Sequence, residues 1–216
     1  MQIKNKIILI VICFLNLFVF NLNLHAEEFN ISAIEITVDK ANEIIIGKGS
    51  VEAIDSEGKQ IKADKITYKK KKEFLLAEGS VEVFDTDGNI IKSDKATYDK
   101  IKEIIITYEN SELIIKEGYK LTSNKILYDN VKKIISSDKI STLTDMDGNI
   151  IIVSMFEYYL EKKLFSSVGK IKIIDIKRNK YFFKELHVDT KKREMIGSDV
   201  SVVLDQENFG VSKEND

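Results

Sequence analysis

Residues 49–68 read GSVEAIDSEGKQIKADKITY, and residues 79–98 read GSVEVFDTDGNIIKSDKATY. The second stretch repeats the first at an offset of thirty residues, and both copies have a Gly-Ser-Val-Glu start, an acid-rich centre and a final tyrosine. Self-similarity at a fixed period of this length indicates an architecture of stacked units. The repeat therefore decides the fold before any single segment is considered.

The same period continues through most of the chain as columns of identical residues. Tyrosine recurs at Tyr68, Tyr98, Tyr128 and Tyr158. Aspartate recurs at Asp55, Asp85, Asp145, Asp175 and Asp205. Glycine recurs at Gly58, Gly88, Gly118 and Gly148. Nearly six copies cover residues 34–205 without an intervening linker, which indicates one domain.

Within each copy the local pattern is that of β-strands. Val81-Glu82-Val83 alternates apolar and polar residues, whereas Ile104-Ile105-Ile106 is a short run of β-branched residues. Between strands, a segment such as Asp85-Thr86-Asp87-Gly88 supplies the acid–Gly pair that tight hairpin turns favour. Strands of about six residues would give roughly 14 to 16 strands in this chain.

A single copy cannot bury its own apolar face, so successive copies must stack and share an interior. We therefore expect an all-β, elongated body of two sheets. Its first and last strands would present unpaired backbone groups that can accept a further strand.

The first 26 residues have the layout of a cleaved secretory signal. Lys4 and Lys6 precede the apolar run 7–20, and Ala26 stands just before an acidic pair. The run is shorter than the roughly 20 residues that span a bilayer as a helix. We expect residues 1–26 to be a signal peptide, 27–207 the β domain and 208–216 a polar tail, with the mature chain working outside the cytoplasm. The single cysteine, Cys13, lies in the leader, so no disulfide is expected.

The charge pattern argues against nucleic-acid binding. The chain has 33 basic and 35 acidic residues, and they are interleaved without a block of one sign. Loss of the leader removes two lysines and brings the formal charge from −2 to −4.

Candidate chemical sites are weak. Segments 85–89 and 145–149 are similar to the start of a calcium loop, but the glutamate at the twelfth position is missing, which favours plain hairpin turns. Glu52, Glu82 and Glu112 repeat in step with everything else, as outward strand positions do. His187 is the only histidine after the leader and has no serine elbow with it. We expect no enzyme activity, no metal and no cofactor.

The apolar interior is the strongest candidate for function. Its predicted lining residues are Ile44, Ile46, Val51, Leu76, Val81, Val83, Ile104, Ile106, Leu113 and Ile171. If the two sheets splay apart, this interior becomes a trough for lipid acyl chains, and a chain of about a dozen methylenes would contribute at most roughly 9 kcal/mol. If the sheets close, it is a packed core that binds nothing, and the residues leave both interpretations open.

Two further columns have both a functional and a structural interpretation. Lys65, Lys95 and Lys125 are candidate phosphate contacts along a rim, although solvated charge explains them as well. The tyrosine column could contact a ligand, but aromatic ladders on one sheet position are commonly packing, which we favour.

The repeated pattern G-x-V … I-x-A-D-x-x-x-Y, carried by Gly49 to Tyr68 and, with serine for alanine, by Gly79 to Tyr98, resembles the OstA-like repeat. That family includes the periplasmic lipopolysaccharide-transport bridge LptA and the N-terminal domain of the outer-membrane assembly protein LptD. The resemblance covers residues 34–205 and leaves the two kinds of member unseparated. The LptD kind continues into a membrane barrel, so this chain would be only its N-terminal part.

The resemblance implies a twisted, V-shaped β-jelly roll whose interior shields the acyl chains of lipid A. It also implies head-to-tail pairing through edge strands with other jelly-roll components of the transport bridge, or with further copies of the chain. This favours the trough over the closed core. The rival hypothesis is a structural β-solenoid of a surface or filament, and a repeat-built glycan-active enzyme is a distant third.

Overall fold

The computed structural model describes residues 29–116, 118–205 and 207, so the predicted leader and tail lie outside the described part of the chain. The described residues form an all-β structure with a single 3-10 turn at Lys70–Lys72. The strands are β1 (Asn30–Ser32), β2 (Glu35–Asp39), β3 (Ile44–Ile54), β4 (Gln60–Lys69), β5 (Phe74–Phe84), β6 (Ile90–Asp99), β7 (Ile104–Tyr108), β8 (Ser111–Ile114), β9 (Lys120–Ser123), β10 (Leu127–Asp129), β11 (Ile134–Ser137), β12 (Ser141–Thr144), β13 (Ile150–Val153), β14 (Phe156–Tyr159), β15 (Leu164–Ile174), β16 (Lys180–Asp189), β17 (Glu194–Ser198) and β18 (Ser201–Val203).

These strands form two antiparallel ladders that share six long strands, β3 to β6, β15 and β16. The upper ladder runs β2-β3-β4-β5-β6-β7-β10-β11-β14-β15-β16-β17. The lower ladder runs β1-β3-β4-β5-β6-β8-β9-β12-β13-β15-β16-β18. Each ladder is a meander, so each thirty-residue copy is one hairpin that passes through both ladders.

The strands bend where they pass from one ladder to the other. The register shifts there between Lys48 and Val51 in β3 and between Glu78 and Val81 in β5. A bulge of this kind bends its strand. Gly79 has a φ of 75° at this corner, and a Cβ on it would lie 2.3 Å from a carboxylate oxygen of Asp64. The glycine that opens each Gly-Ser-Val-Glu motif is therefore the corner residue.

The all-β prediction is confirmed, but the strand number is not. The described residues contain 18 strands instead of 14 to 16, because several passages through the corner are interrupted and become two short strands, as with β7 and β8. The V shape and the jelly-roll wrap remain predictions. Among the described residues there is no helix with the length and apolarity to cross a membrane.

One buried cluster takes residues from both ladders along the length of the body. The tyrosine column belongs to it, since Tyr68, Tyr98 and Tyr128 are each 1% exposed and Tyr158 is 3% exposed. The packing interpretation of this column is therefore confirmed. Five of the predicted interior residues are also in this cluster, at 1–2% exposure: Val51, Val81, Val83, Leu113 and Ile171.

The other five predicted interior residues lie on the wrong face. In β7 the buried side chain is Ile105, and its neighbours Ile104 and Ile106 are half-buried on the outer face. The same holds for Leu76 beside the buried Leu75. Ile44 and Ile46 are on the outer face too, because Ile45 between them packs on the core. A run of three apolar residues has no alternation, so its phase cannot be read from the sequence.

The corrected phase predicts unequal costs for two adjacent leucines. Leu75→Ala removes a side chain that is 1% exposed in the core, and we expect a loss of about 2–5 kcal/mol in the free energy of unfolding. Leu76→Ala should cost about 1 kcal/mol or less, as an outer-face change does. Urea denaturation of both variants measures the difference. Equal losses of unfolding free energy in the two variants would instead support the sequence-based prediction that Leu76 lies in the interior.

Candidate functional site

Two rows of turns border the interior on the side away from the corners. The lower turns join strands of the lower ladder and lie at residues 55–59, 85–89, 115–119, 145–149 and 175–179. The upper turns lie at residues 40–43, 70–73, 100–103, 130–133, 160–163 and 190–193. The space between the two rows is called the cleft here, and it is the candidate site.

When the turns of each row are numbered along the chain, each lower turn faces the upper turn whose number is higher by two. The first lower turn meets the third upper turn, where Lys59 Nζ is 3.2 Å from Glu103 Oε2. The fourth lower turn meets the sixth upper turn through an ion pair between Asp147 and Arg193. The ladders are thus staggered, which leaves the first two upper turns and the fifth lower turn without an opposing turn.

The lower turns use their aspartates for their own geometry. In the fourth turn, Asp145 Oδ1 accepts hydrogen bonds from the backbone N–H groups of Asp147 and Asn149, and Oδ2 accepts one from the Asn149 amide. These oxygens are engaged by the turn itself, as the hairpin interpretation requires. In the described part of the chain no three His, Cys, Asp or Glu side chains are gathered as metal ligands.

The N-terminal part of the cleft is sealed. Phe29 is 6% exposed and packs edge-on against Tyr68 and Tyr98, with ring centroids 5.1 and 5.8 Å apart. Next to it, the side chain of Lys59 is 4% exposed and lies between the two rows of turns. Aromatic rings and a buried amine therefore fill the interior at this end.

A polar cluster surrounds the Lys59 amine. Lys59 donates to the Tyr98 hydroxyl at 2.8 Å, and that hydroxyl donates to Glu103 at 2.8 Å. Burial alone would raise the pKa of Glu103, but the hydrogen bond from Tyr98 and the charge of Lys59 outweigh burial and hold this pKa below its ordinary value. Burial and the bond to Glu103 raise the pKa of Tyr98 well above its ordinary value, so the phenol stays protonated.

The middle of the cleft is a polar opening of about 540 Å³. It is lined by the second and third lower turns and by the fourth and fifth upper turns. The lining residues are Asp87, Asn89, Lys116, Lys133, Leu160, Glu161 and Lys163. Sequence reasoning missed the three lysines here. The columns gave no signal for them, because the pairing of a lower turn with a distant upper turn depends on the stagger of the ladders.

The C-terminal part of the cleft contains two adjoining cavities of about 190 and 230 Å³, which share Ile151 and Met195. The first is also lined by charged turn residues, among them Asp147 and Arg193, and the second is mainly apolar. Phe165 and Val188 line the first and Ile173 and Phe183 the second, so the walls come from both ladders. An apolar cavity of about 150 Å³ admits a benzene-sized molecule, so each of these has room for a stretch of hydrocarbon chain.

The predicted rim lysines are not on the rim. Lys65 stands on the outer side of the corner and pairs with Glu78 at 3.0 Å. Lys125 stands at the equivalent position, 3.5 Å from Asp138, and Lys95 is exposed there. The corner is on the opposite side of the body from the cleft, so this placement corrects the rim interpretation.

The repeated glutamates form cross-strand ion pairs on the outer face, as expected of solvated positions. Glu82 is 2.7 Å from Lys92, and Glu112 is 2.7 Å from Lys120. Glu52 is 4.0 Å from Lys62 in the same arrangement.

His187 has partners that the sequence did not reveal. Its Nδ1 is 2.9 Å from Ser166 Oγ, and its Nε2 is 3.0 Å from Glu185 Oε1. A nucleophilic serine also needs donors for the oxyanion in a site that excludes water. These three side chains lie on the outer face of β15 and β16, with 40% exposure at His187 and 51% at Glu185. The arrangement is a surface cross-strand contact.

No protein-family model matches the chain, and no curated protein matches it. Among solved structures, the chain is similar to LptH of Pseudomonas aeruginosa, the LptA-homologous periplasmic component of a lipopolysaccharide transport device, at 10% identity over 83% of this chain and 96% of that one, with a TM-score of 0.26. It is also similar to the TCP10 domain of CPAP from Danio rerio, wild type and E1021V mutant, at 11% and 12% identity over 65% of this chain and 94% and 93% of those chains, with TM-scores of 0.15 and 0.16. Likenesses at these TM-scores carry no argument about function.

The environment of Glu103 predicts a pH-dependent stability. Its pKa is lower in the folded state, so its contribution is present above the unfolded pKa of about 4.3 and is lost as the pH falls through the folded value. We expect Glu103→Gln to be less stable than the parent at pH 7 and the gap to close at pH 3. Urea midpoints at the two pH values measure this difference, with Glu35→Gln, at an exposed strand position, as the control. An equal difference in stability between Glu103→Gln and the parent at both pH values would contradict the lowered pKa of Glu103.

Proposed function

We propose that the chain is a non-enzymatic carrier that holds the acyl chains of lipopolysaccharide in the C-terminal part of the cleft. The observation that carries the proposal is the pair of adjoining cavities between the ladders, which are lined by apolar side chains of the strands and bordered by polar turns. An amphipathic lipid fits this arrangement because its tails would lie on Ile151, Ile173 and Phe183 while its sugars stay in water.

The thirty-residue repeat supports lipopolysaccharide as the lipid, since it resembles the OstA-like repeat. On this proposal the chain is exported to the periplasm and carries lipid A toward the outer membrane, as an LptA-type bridge or an LptD-type docking domain. The carrier takes the lipid up and hands it on without changing a covalent bond.

The two ends of the body fit the proposed pairing with further transport components or copies of the chain. At the N-terminal end, Ile36 and Val38 on the inner face of β2 are 47% and 54% exposed. At the C-terminal end, Met195 and Val202 on the inner faces of β17 and β18 are 47% and 48% exposed. Because the ladders are staggered, the uncovered inner face at one end can cover the uncovered inner face at the other end of the next molecule. Edge strands at both ends would continue the ladders.

One observation favours the rival function of a structural filament. The interior around Val51, Val81 and Tyr68 is 1% exposed, as in a closed core. A filament would need that packing along the whole body, whereas Phe183 is only half-buried and Met195 is 47% exposed at the C-terminal end. Binding of lipid at the open end separates the two functions.

Photo-crosslinking tests the carrier directly. We expect benzoylphenylalanine at Phe183, on the inner face, to form adducts with purified lipopolysaccharide, and the same residue at Phe182, on the outer face, to form at least about tenfold fewer. Both replacements exchange one aromatic ring for another. Equal adduct formation at the two positions, or none at Phe183, would count against the carrier and for the filament.

Self-association tests the proposed pairing of ends. Val202→Lys places a charge on the uncovered inner face of β18, and we expect it to abolish concentration-dependent growth of the sedimentation coefficient. Val203→Lys is the matched control, because Val203 has similar exposure, 54%, on the outer face. A parent protein that stays monomeric at every concentration would remove pairing between copies from the proposal.

A further inference from the structure

Position 59 departs from its column in the repeat. The equivalent residues of three other lower turns are Asn89, Asn149 and Asn179, and each amide group bonds to the aspartate of its own turn. Their side-chain carbonyl oxygens accept hydrogen bonds from backbone N–H groups at the equivalent place of the next repeat, at 3.0–3.3 Å. Lysine has only donors, so position 59 offers no such acceptor. Lys59 therefore cannot take part in the link between neighbouring turns.

The Lys59 side chain reaches across the cleft instead. Its amine is 2.8 Å from the Tyr98 hydroxyl, 3.2 Å from Glu103 Oε2 and 4.4 Å from the centre of the Tyr98 ring. Asp55 Oδ2, 3.7 Å from the amine, is buried and has no hydrogen-bond partner among the described atoms. A buried charge persists only when it is paired. Lys59 thus ties the first lower turn to the third upper turn.

The other ion pair across the cleft is of a different kind. Arg193 and Asp147 are 62% and 54% exposed, so water screens their attraction. Lys59 is 4% and Glu103 21% exposed, so removal of either partner leaves a charge in a poorly solvated place. The contact at Lys59 is therefore the stronger of the two closures, and it lies at the sealed end.

We propose that Lys59, with Tyr98 and Glu103, is a crossbar that closes the cleft between the first lower turn and the third upper turn and keeps an acyl chain from entering the interior there. The inference rests on the proposed carrier function and makes Lys59 a residue that excludes the ligand from the sealed end. Beyond the crossbar lies Phe29, with its ring 5.8 Å from that of Tyr98. A lipid tail can reach Phe29 only when the crossbar opens.

Distances between spin labels test the closure without any ligand. The only cysteine of the sequence is Cys13, so labels can be placed on Glu57→Cys and Lys102→Cys, both exposed and on the two turns that the crossbar joins. We expect a narrow distance distribution in the Cys13→Ser parent and a longer, broader one after Lys59→Ala. Glu103→Gln should give a smaller change of the same sign. Lys62→Ala, which removes an exposed lysine 4.0 Å from Glu52, is the control and should change nothing.

Crosslinking to purified lipopolysaccharide tests whether Lys59 keeps the ligand away from Phe29. We expect benzoylphenylalanine at Phe183 to form adducts in the parent and in Lys59→Ala, and at Phe29 to form them only in Lys59→Ala. Adducts at Phe29 in the parent, or an unchanged label distance in Lys59→Ala, would overturn the crossbar. Absence of adducts at both positions, together with a longer label distance in Lys59→Ala, would instead overturn the carrier function and with it the exclusion of lipid by Lys59.

Discussion

Each thirty-residue hairpin contributes one layer to the interior, and a layer is stable only when another covers it. Inward side chains such as Tyr98 are 1% exposed because hairpins before and after supply their neighbours. This requirement propagates along the whole body and fails at its ends, where Val38 and Val202 stay about half exposed. The repeat thus produces both the continuous core and the two unsatisfied terminal faces from one cause, the inability of a two-strand unit to bury itself.

The stagger of the two ladders turns this repeated structure into one with a direction. Lys59 of the first lower turn closes the interior against the third upper turn, and the N-terminal segment with Phe29 fills the place of the missing lower turn at this end. At the other end Phe183 remains half-buried. The sealed N-terminal end and the more exposed C-terminal end therefore arise from equivalent repeats. They differ because the chain enters the stack at one end and leaves it at the other.

The sequence predicted the features that depend on one strand or one turn. The period, the acid–Gly turns and the buried tyrosines all follow from local patterns, as do Val51, Val81 and Leu113 in the core. It could not predict features that depend on the relation between distant strands. The phase of Ile104-Ile105-Ile106 is set by pairing with β6 and β10, which places Ile105 beside the buried tyrosines of those strands. The convergence of Lys116, Lys133 and Lys163 is set by the stagger. Lys59 was visible as a break in the asparagine column, but its partners were not.

The distribution of polarity across the cleft decides what kind of molecule it suits. A purely apolar guest would have to lie beside the charged turns that border the opening, such as those of Asp145 and Arg193, and would gain nothing there. A purely polar guest would leave Ile173 and Phe183 in contact with its hydration shell, which is unfavourable. A molecule with hydrocarbon tails and a charged or sugar head meets both requirements, because its two parts fall on the two surfaces that the alternation of each strand and the chemistry of each turn create. On the proposed carrier function, the amphipathic character of the ligand would follow from the β hairpin itself, which is apolar on its inner face and polar at its turns.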